Sequence, residues 1–181
     1  MKEDRPYSNL AFRGMALWLR VHEILGDIRE RLVEAGLEEG QIVVDYGCGI
    51  GSYSIPAAQL VGDAGMVYAV DMHPLAIEAV ERRARKKNLR NINTIRSNLD
   101  TGLAEESVDL VLLYDVLHMV SDEQGLLGEM HRVLKPGGRL SILPDHMTED
   151  ELLSTVSGVN HFNLRTSHGE VYEFERGAAS I

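Results

Sequence analysis

Asp45, Gly47, Gly49 and Gly51 stand at alternate positions in Asp45-Tyr46-Gly47-Cys48-Gly49-Ile50-Gly51, straight after the β-branched run Ile42-Val43-Val44. Glycine has no Cβ and accepts positive φ, so such a turn lets backbone approach a ligand closely. The start of a following helix leaves further amides free to face it. A nucleotide-like cofactor suits that arrangement. Twenty residues after Gly51, Asp71 ends the run Met66-Val67-Tyr68-Ala69-Val70. A carboxylate at the tip of a second strand can accept hydrogen bonds from both hydroxyls of a ribose. The same residue could instead cap a helix beginning near His73-Pro74, where Asp and an early Pro are both favoured. Asp115 and His118 form a third candidate set, a carboxylate and an imidazole three residues apart. They share a face if a helical turn follows Tyr114. His118 is then a candidate proton acceptor, or a histidine that braces the loop by bonding backbone.

Spacing excludes other chemistries. A dinucleotide fingerprint, G-x-G-x-x-G, needs glycine where this chain has Ser52 (counting from Gly47) or Ser54 (counting from Gly49). A Tyr-x-x-x-Lys pair is also missing, since Ala11, Ile50, Ala57, Met72, His118 and Arg176 stand four after the tyrosines. Both facts count against a nicotinamide-dependent oxidoreductase. His22-Glu23 begins like a zinc-protease helix, but Gly26 occupies the place of the second histidine. His146, His161 and His168 are scattered and lack paired cysteines, so the expectation is surface or hydrogen-bonded histidines and no metal. Cys48, the only cysteine, has no disulfide partner and is expected to be a small residue packed under the cofactor.

The elements that must hold these residues alternate in type. Periodicity predicts a helix over about Ala11 to Glu34, a strand into the glycine turn, a helix from Ser52 to Leu60 and a strand from Met66 to Asp71. A helix from Leu75 to Lys87 and strands at Ile92 to Ile95 and Val108 to Tyr114 follow, the last a continuous apolar run of the kind parallel sheets bury. A helix over Asp122 to Val133 leads to a turn at Lys135-Pro136-Gly137-Gly138 and a strand at Arg139 to Leu143. A short helix at Glu149 to Val156 precedes strands at Phe162 to Arg165 and Val171 to Phe174. This order implies a doubly wound α/β sheet.

The 181 residues fit one domain, divided into a helical lid region at 1–36 and an α/β core at 37–181. Eighteen basic against 28 acidic residues give a net charge of −10, which opposes a phosphate backbone and disfavours nucleic acid as substrate. The basic cluster Arg82-Arg83-Ala84-Arg85-Lys86-Lys87 is expected to be a solvated helix end. No run approaches membrane-spanning length, and the charged start, Met1 to Pro6, is unlike a signal peptide, so a soluble, cytoplasmic protein is expected. Tyr7, Phe12 and Trp18 could line a pocket over the cofactor. For Phe12 and Trp18 the favoured role is packing a helix on the sheet, while Tyr7 could close on a ligand.

The motif Asp45-x-Gly47-x-Gly49-x-Gly51 resembles motif I of the class I S-adenosylmethionine-dependent methyltransferases. Ser97-Asn98-Leu99-Asp100 and Ser107-Val108-Asp109-Leu110-Val111 look like that family's third and fourth motifs, and Leu134-Lys135-Pro136-Gly137-Gly138 is similar to its signature after the fourth strand. Leu117-His118 is similar to the Leu-His of the ubiquinone and menaquinone biosynthesis group. The resemblance implies a mostly parallel Rossmann-like sheet of seven strands that ends in an antiparallel hairpin, here broken at His168-Gly169. It also implies S-adenosylmethionine as cofactor, S-adenosylhomocysteine as product and a small-molecule methyl acceptor.

On that resemblance Asp45, Gly47, Cys48, Gly49, Gly51 and Tyr114 belong to the cofactor site, with the methionine portion over 47–51 and the ribose on Asp71. Adenine is expected between Met72 and the turn of Asn98 and Leu99. The family commonly has Asp at the position of Asn98, but an Asn oxygen still accepts from an adenine amino group. Asp115 and His118 fall on the acceptor side, at the strand ends where ligands gather in open α/β sheets. Only Pro144 to Thr148 separate the last helix from the strand before it, which leaves the N-terminal segment as the expected lid. A non-catalytic cofactor-binding subunit or regulator is the alternative from another class.

Overall fold

Ile42-Val43-Val44 opens the central strand of a seven-stranded sheet in the computed structural model, which describes residues 6, 8–25, 28–144 and 146–177. Tyr7, Gly26 and the side chains of Trp18, His22 and Glu23 lie outside the described residues. Two helices, α1 (Asn9–Leu25) and α2 (Ile28–Glu34), precede β1 (Ile42–Tyr46). The core then runs α3 (Ser54–Val61), β2 (Met66–Asp71), α4 (Pro74–Lys86), β3 (Ile92–Arg96) and β4 (Val108–Tyr114). It continues with α5 (Glu123–Val133), β5 (Leu134–Leu143), α6 (Glu149–Ser157), β6 (Phe162–His168) and β7 (Val171–Arg176).

The strand order is β3-β2-β1-β4-β5-β7-β6. β1 to β5 are mutually parallel, while β7 runs antiparallel between β5 and β6. Helices cover both faces, so the inner strands are mostly apolar: Val43, Val44, Leu110, Val111, Leu112 and Leu113 are all fully buried. One face of the sheet packs on α5 and α6 through Leu126, Leu127, Met130, Leu152 and Val156. The other packs on α2 and α3 through Leu32, Ala57, Ala58 and Val61. The chain order reverses between β1 and β4, and the crevice outside the carboxyl ends of those strands is where such sheets hold ligands.

Two sequence expectations need correction. The helix expected over 11–34 is two helices, α1 and α2. The turn expected at 135–138 lies inside β5, where the register jumps from Val108 opposite Leu134 to Leu110 opposite Arg139. Pro136 has no N–H to give a ladder and Gly137 takes φ +75°, so these residues leave the pairing and return to it as a bulge rather than reversing the chain. Asp109 closes the gap, its Oδ1 accepting from Lys135 Nζ at 2.7 Å and its Oδ2 from the Ile42 amide at 2.8 Å. One carboxylate thus ties the starts of β1, β4 and β5. Replacing it by Ala leaves the Ile42 amide without its acceptor. The variant is expected to lose about 1 to 3 kcal/mol of stability, read as a lower urea midpoint at unchanged slope.

Candidate active site

The glycine turn is built by hydrogen bonds that its sequence makes possible. The amides of Gly47 and Cys48 both donate to the Val70 carbonyl, at 2.8 and 3.0 Å, and Gly51 donates back to Cys48 O at 2.8 Å. Gly47, Gly49 and Gly51 all have positive φ. A Cβ at Gly47 would stand 2.5 Å from Val116 Cγ2, so the turn packs directly on the segment after β4. Arg83 Nη1 donates to the Ile50 carbonyl at 3.0 Å from α4. It is half-buried, so the basic cluster is solvated at Arg82, Arg85, Lys86 and Lys87 but not at Arg83.

Asp71 binds backbone with both carboxylate oxygens. Its Oδ1 accepts from the His73 amide at 2.8 Å, at the entry to α4, and its Oδ2 accepts from the Gly49 amide at 2.9 Å. The helix cap itself is His73, whose Nδ1 accepts from the Leu75 amide at 3.1 Å with Pro74 following at the first turn. Burial raises the Asp71 carboxyl above the usual range, and the amides of His73 and Gly49 draw it partly back. Tyr46, at the end of β1, donates its hydroxyl to Asn98 O at 2.7 Å and fixes the turn after β3.

These elements enclose a cavity of about 540 Å³ at the carboxyl ends of β1, β2 and β4. Of the residues that sequence assigned to a site, Gly47, Cys48, Gly49, Asp71, Met72, Asn98, Tyr114, Asp115 and His118 all line it. Asp45, Gly51 and Leu99 are not in its wall. Asp45 lies buried beneath the turn and accepts from the Ser54 hydroxyl. Gly51 packs on Val80, and Leu99 packs into the core on the α5 side. The Cys48 thiol is pushed well above its usual range, chiefly by burial and then by Asp45, so it stays protonated at neutral pH, as a packing residue does.

Asp115 and His118 do not share a helical turn. Asp115 ends β4 in the left-handed region, φ +55°, with its amide donating to Leu143 O at 3.0 Å, and a single 3₁₀ turn covers only Leu117–Met119. A non-glycine residue held there by its surroundings marks a place where side-chain direction matters. The two side chains still meet the same cavity.

Sequence reasoning missed several wall residues. His146, expected to be a surface or hydrogen-bonded histidine, is exposed and also lines the cavity, with its ring 5.3 Å from that of His118. It sits in the loop after β5, so its place at the carboxyl edge of the sheet was the available signal. Phe12 packs not on the sheet but on Ile50, Ala76 and Ala79, stacking on His73 with centroids 4.4 Å apart, and Met15 and Leu19 of the same helix face the cavity. Tyr53 meets Tyr114 edge to face at 4.6 Å. Ser52 Oγ is buried in the wall with no hydrogen-bond partner.

A volume of that size is that of a small-molecule site, and the wall supplies apolar faces (Phe12, Met15, Leu19, Met72) with a few convergent polar groups. Fold and cavity together define a nucleotide-cofactor domain of the doubly wound type. A methyltransferase-domain family model matches residues 37–176. The chain belongs to that family, the class I, S-adenosylmethionine-dependent methyltransferases. It is 30% identical over 145 residues to the ubiquinone/menaquinone biosynthesis C-methyltransferase UbiE of Pseudoalteromonas translucida, covering 79% of this chain and 58% of that protein. It is 30% identical over 136 residues to the demethylmenaquinone methyltransferase of Geobacillus stearothermophilus, 75% of this chain and 54% of that one. The chain therefore spans little more than half the length of these relatives. Among solved structures, a SAM-dependent methyltransferase from Aquifex aeolicus matches with a TM-score of 0.73 at 23% identity, over 83% of this chain and 88% of that one.

The buried Asp45 gives the turn a pH signature. Burial raises its pKa to about 6, against the lowering hydrogen bond from Ser54 and with a further rise from Asp71. Between about pH 4 and 6 the folded state holds a proton that the unfolded state has lost, so stability falls as pH rises through that window and is flat above it. The loss amounts to about 3 kcal/mol. Asp45→Asn keeps an acceptor for Ser54 and cannot ionise, so urea unfolding at pH 4.5 and 7.5 should show a smaller difference than in the parent chain.

Proposed function

We propose that this domain binds S-adenosylmethionine across the ends of β1 and β2 and transfers its methyl group to a small-molecule acceptor that enters over β4. The observation that carries the reading is the union of the glycine turn with Asp71 at the rim of one cavity that also holds His118 and His146. When bound, the cofactor supplies a sulfonium methyl that is already electrophilic, so the chain's task is placement more than activation. The methionine portion is assigned to 47–51 and Ser52, the ribose to Asp71, and the adenine to the space between Met72 and Asn98. Asp45 acts from beneath, by holding α3 through Ser54. Phe12, Met15 and Leu19 of α1 supply an apolar side to the cavity. That supports a lid role for α1, while α2 packs on the sheet.

The rest of the wall, with His118, Met119, Val120 and His146, is the acceptor side. His118 takes a proton from acceptors that carry one at the reacting atom. The relatives' names point to demethylmenaquinone and aklanonic acid as the first compounds for an acceptor screen.

Calorimetry with S-adenosylhomocysteine and NAD separates this reading from an oxidoreductase: the first should bind and the second should not. Asp71→Ala removes charge-assisted hydrogen bonds worth about 1.5 to 3 kcal/mol each, so affinity for S-adenosylhomocysteine should fall at least about tenfold. Unchanged affinity would remove the ribose assignment. With an acceptor in hand, His118→Ala should lower kcat by roughly a hundredfold while leaving S-adenosylhomocysteine affinity within about twofold. Normal turnover in that variant makes the histidine a loop brace.

A further inference from the structure

The charge of the cavity wall is one-sided. Among the described residues that line it there is no Lys or Arg, whereas two carboxylates, Asp71 and Asp115, open onto it and a third, Asp45, lies just behind. Asp71 is spoken for by the amides of Gly49 and His73 and by the ribose assigned to it. Asp115 is on the opposite side, at the end of β4, and its left-handed backbone fixes where its side chain leaves the strand.

Next to it stands Tyr53, at the entry to α3 directly after the glycine turn, with its ring propped edge to face on Tyr114. Tyr114 is itself anchored by a 2.9 Å hydrogen bond between its hydroxyl and Ser141 Oγ in β5. Burial and the nearby Asp115 carboxylate both raise the Tyr53 phenol above its usual range. Arg31 of α2 opposes this, hydrogen-bonding the Tyr53 hydroxyl and countering the raised pKa. Tyr53 and Asp115 thus both line the cavity between the glycine turn and β4, near enough for the carboxylate to act on the phenol. Ser52 Oγ, buried there without a partner, marks the same stretch as unfinished without a polar ligand.

We infer that Asp115 and the ring of Tyr53 read the positive charge of the cosubstrate, so that the site prefers S-adenosylmethionine to the neutral product S-adenosylhomocysteine. The inference rests on the methyl-transfer reading above. Methyl transfer breaks the bond from sulfur to the methyl carbon, and its electron pair stays on sulfur, which becomes a neutral thioether as the acceptor gains the methyl group. A carboxylate and a π face attract the sulfonium and gain nothing from the thioether. The charge that leaves with the reaction is thus the charge that held the cosubstrate, and the spent cofactor is released more readily. Asp115 is in this account a binding residue that discriminates by charge, separate from any proton transfer by His118.

Isothermal titration of the full chain with S-adenosylmethionine and, separately, S-adenosylhomocysteine tests it. Asp115→Asn is the informative variant, because Asn tolerates the left-handed backbone almost as well as Asp while carrying no charge. It should lose S-adenosylmethionine affinity by roughly three- to thirtyfold and keep S-adenosylhomocysteine affinity within about twofold. Tyr53→Leu, which removes the π face from another element, should move the ratio of the two affinities in the same direction. A ratio unchanged in both variants, or both affinities falling alike, overturns this inference and leaves the methyl-transfer reading standing. A parent chain that binds neither molecule overturns both.

Discussion

The Asp71 carboxylate accepts from Gly49 on one oxygen and from His73 on the other, and in doing so fastens the turn after β1 to the turn after β2. The glycines of the turn have no side chains to pack, so where they sit depends on the acceptors that the turn's amides find. Val70 O takes two of them and Asp71 takes a third. Both acceptors belong to the end of β2. The cavity floor is therefore defined by one neighbouring strand, and the register of β1 against β2, Tyr46 opposite Val70, becomes a functional parameter. A slip of one residue would turn every side chain of β1 to the wrong face and carry the turn away from its acceptors.

This dependence explains what could be read from sequence. Glycine spacing and an acid at a strand tip are local signals, and they located Gly47, Gly49 and Asp71 in one cavity, to which the family resemblance added Met72 and Asn98. Asp45 shares the motif but not the cavity, because alternation along β1 turns it inward to Ser54. What escaped was set by tertiary contact. Phe12 stacks on a histidine from α4, and His146 meets His118 from a loop after β5. The Pro-Gly-Gly of 136–138 has the composition of a turn, yet strand pairing on either side of it, and the Asp109 link to Lys135, hold it within β5. Single-sequence patterns carry no record of such partners.

The described histidines illustrate how context decides role. His73 caps a helix, and His131 stacks on His161 at 4.6 Å while its Nε2 lies 3.2 Å from Gly177 O. Burial lowers the His131 pKa, with Arg176 adding to the effect against the Gly177 carbonyl. His131 and His161 brace the C-terminal hairpin on α5, whereas His73, His118 and His146 line the cavity. The residue type is shared, and the strand end it follows makes the difference.

The placement of β7 has a consequence for how the molecule is made. Among the described residues β6 has β7 as its only strand partner, and β7 is also what joins it to β5. During synthesis β6 leaves the ribosome before the strand that will receive it, and β5 waits with an open ladder until the same strand arrives. The parallel part of the sheet, with the cavity on its carboxyl edge, can assemble earlier from β1 to β5 alone. A nascent domain assembled that far would have its crevice in place while one edge of β5, paired with β4 on the other, stays open, and a small molecule and a chaperone would then protect different ends of one sheet.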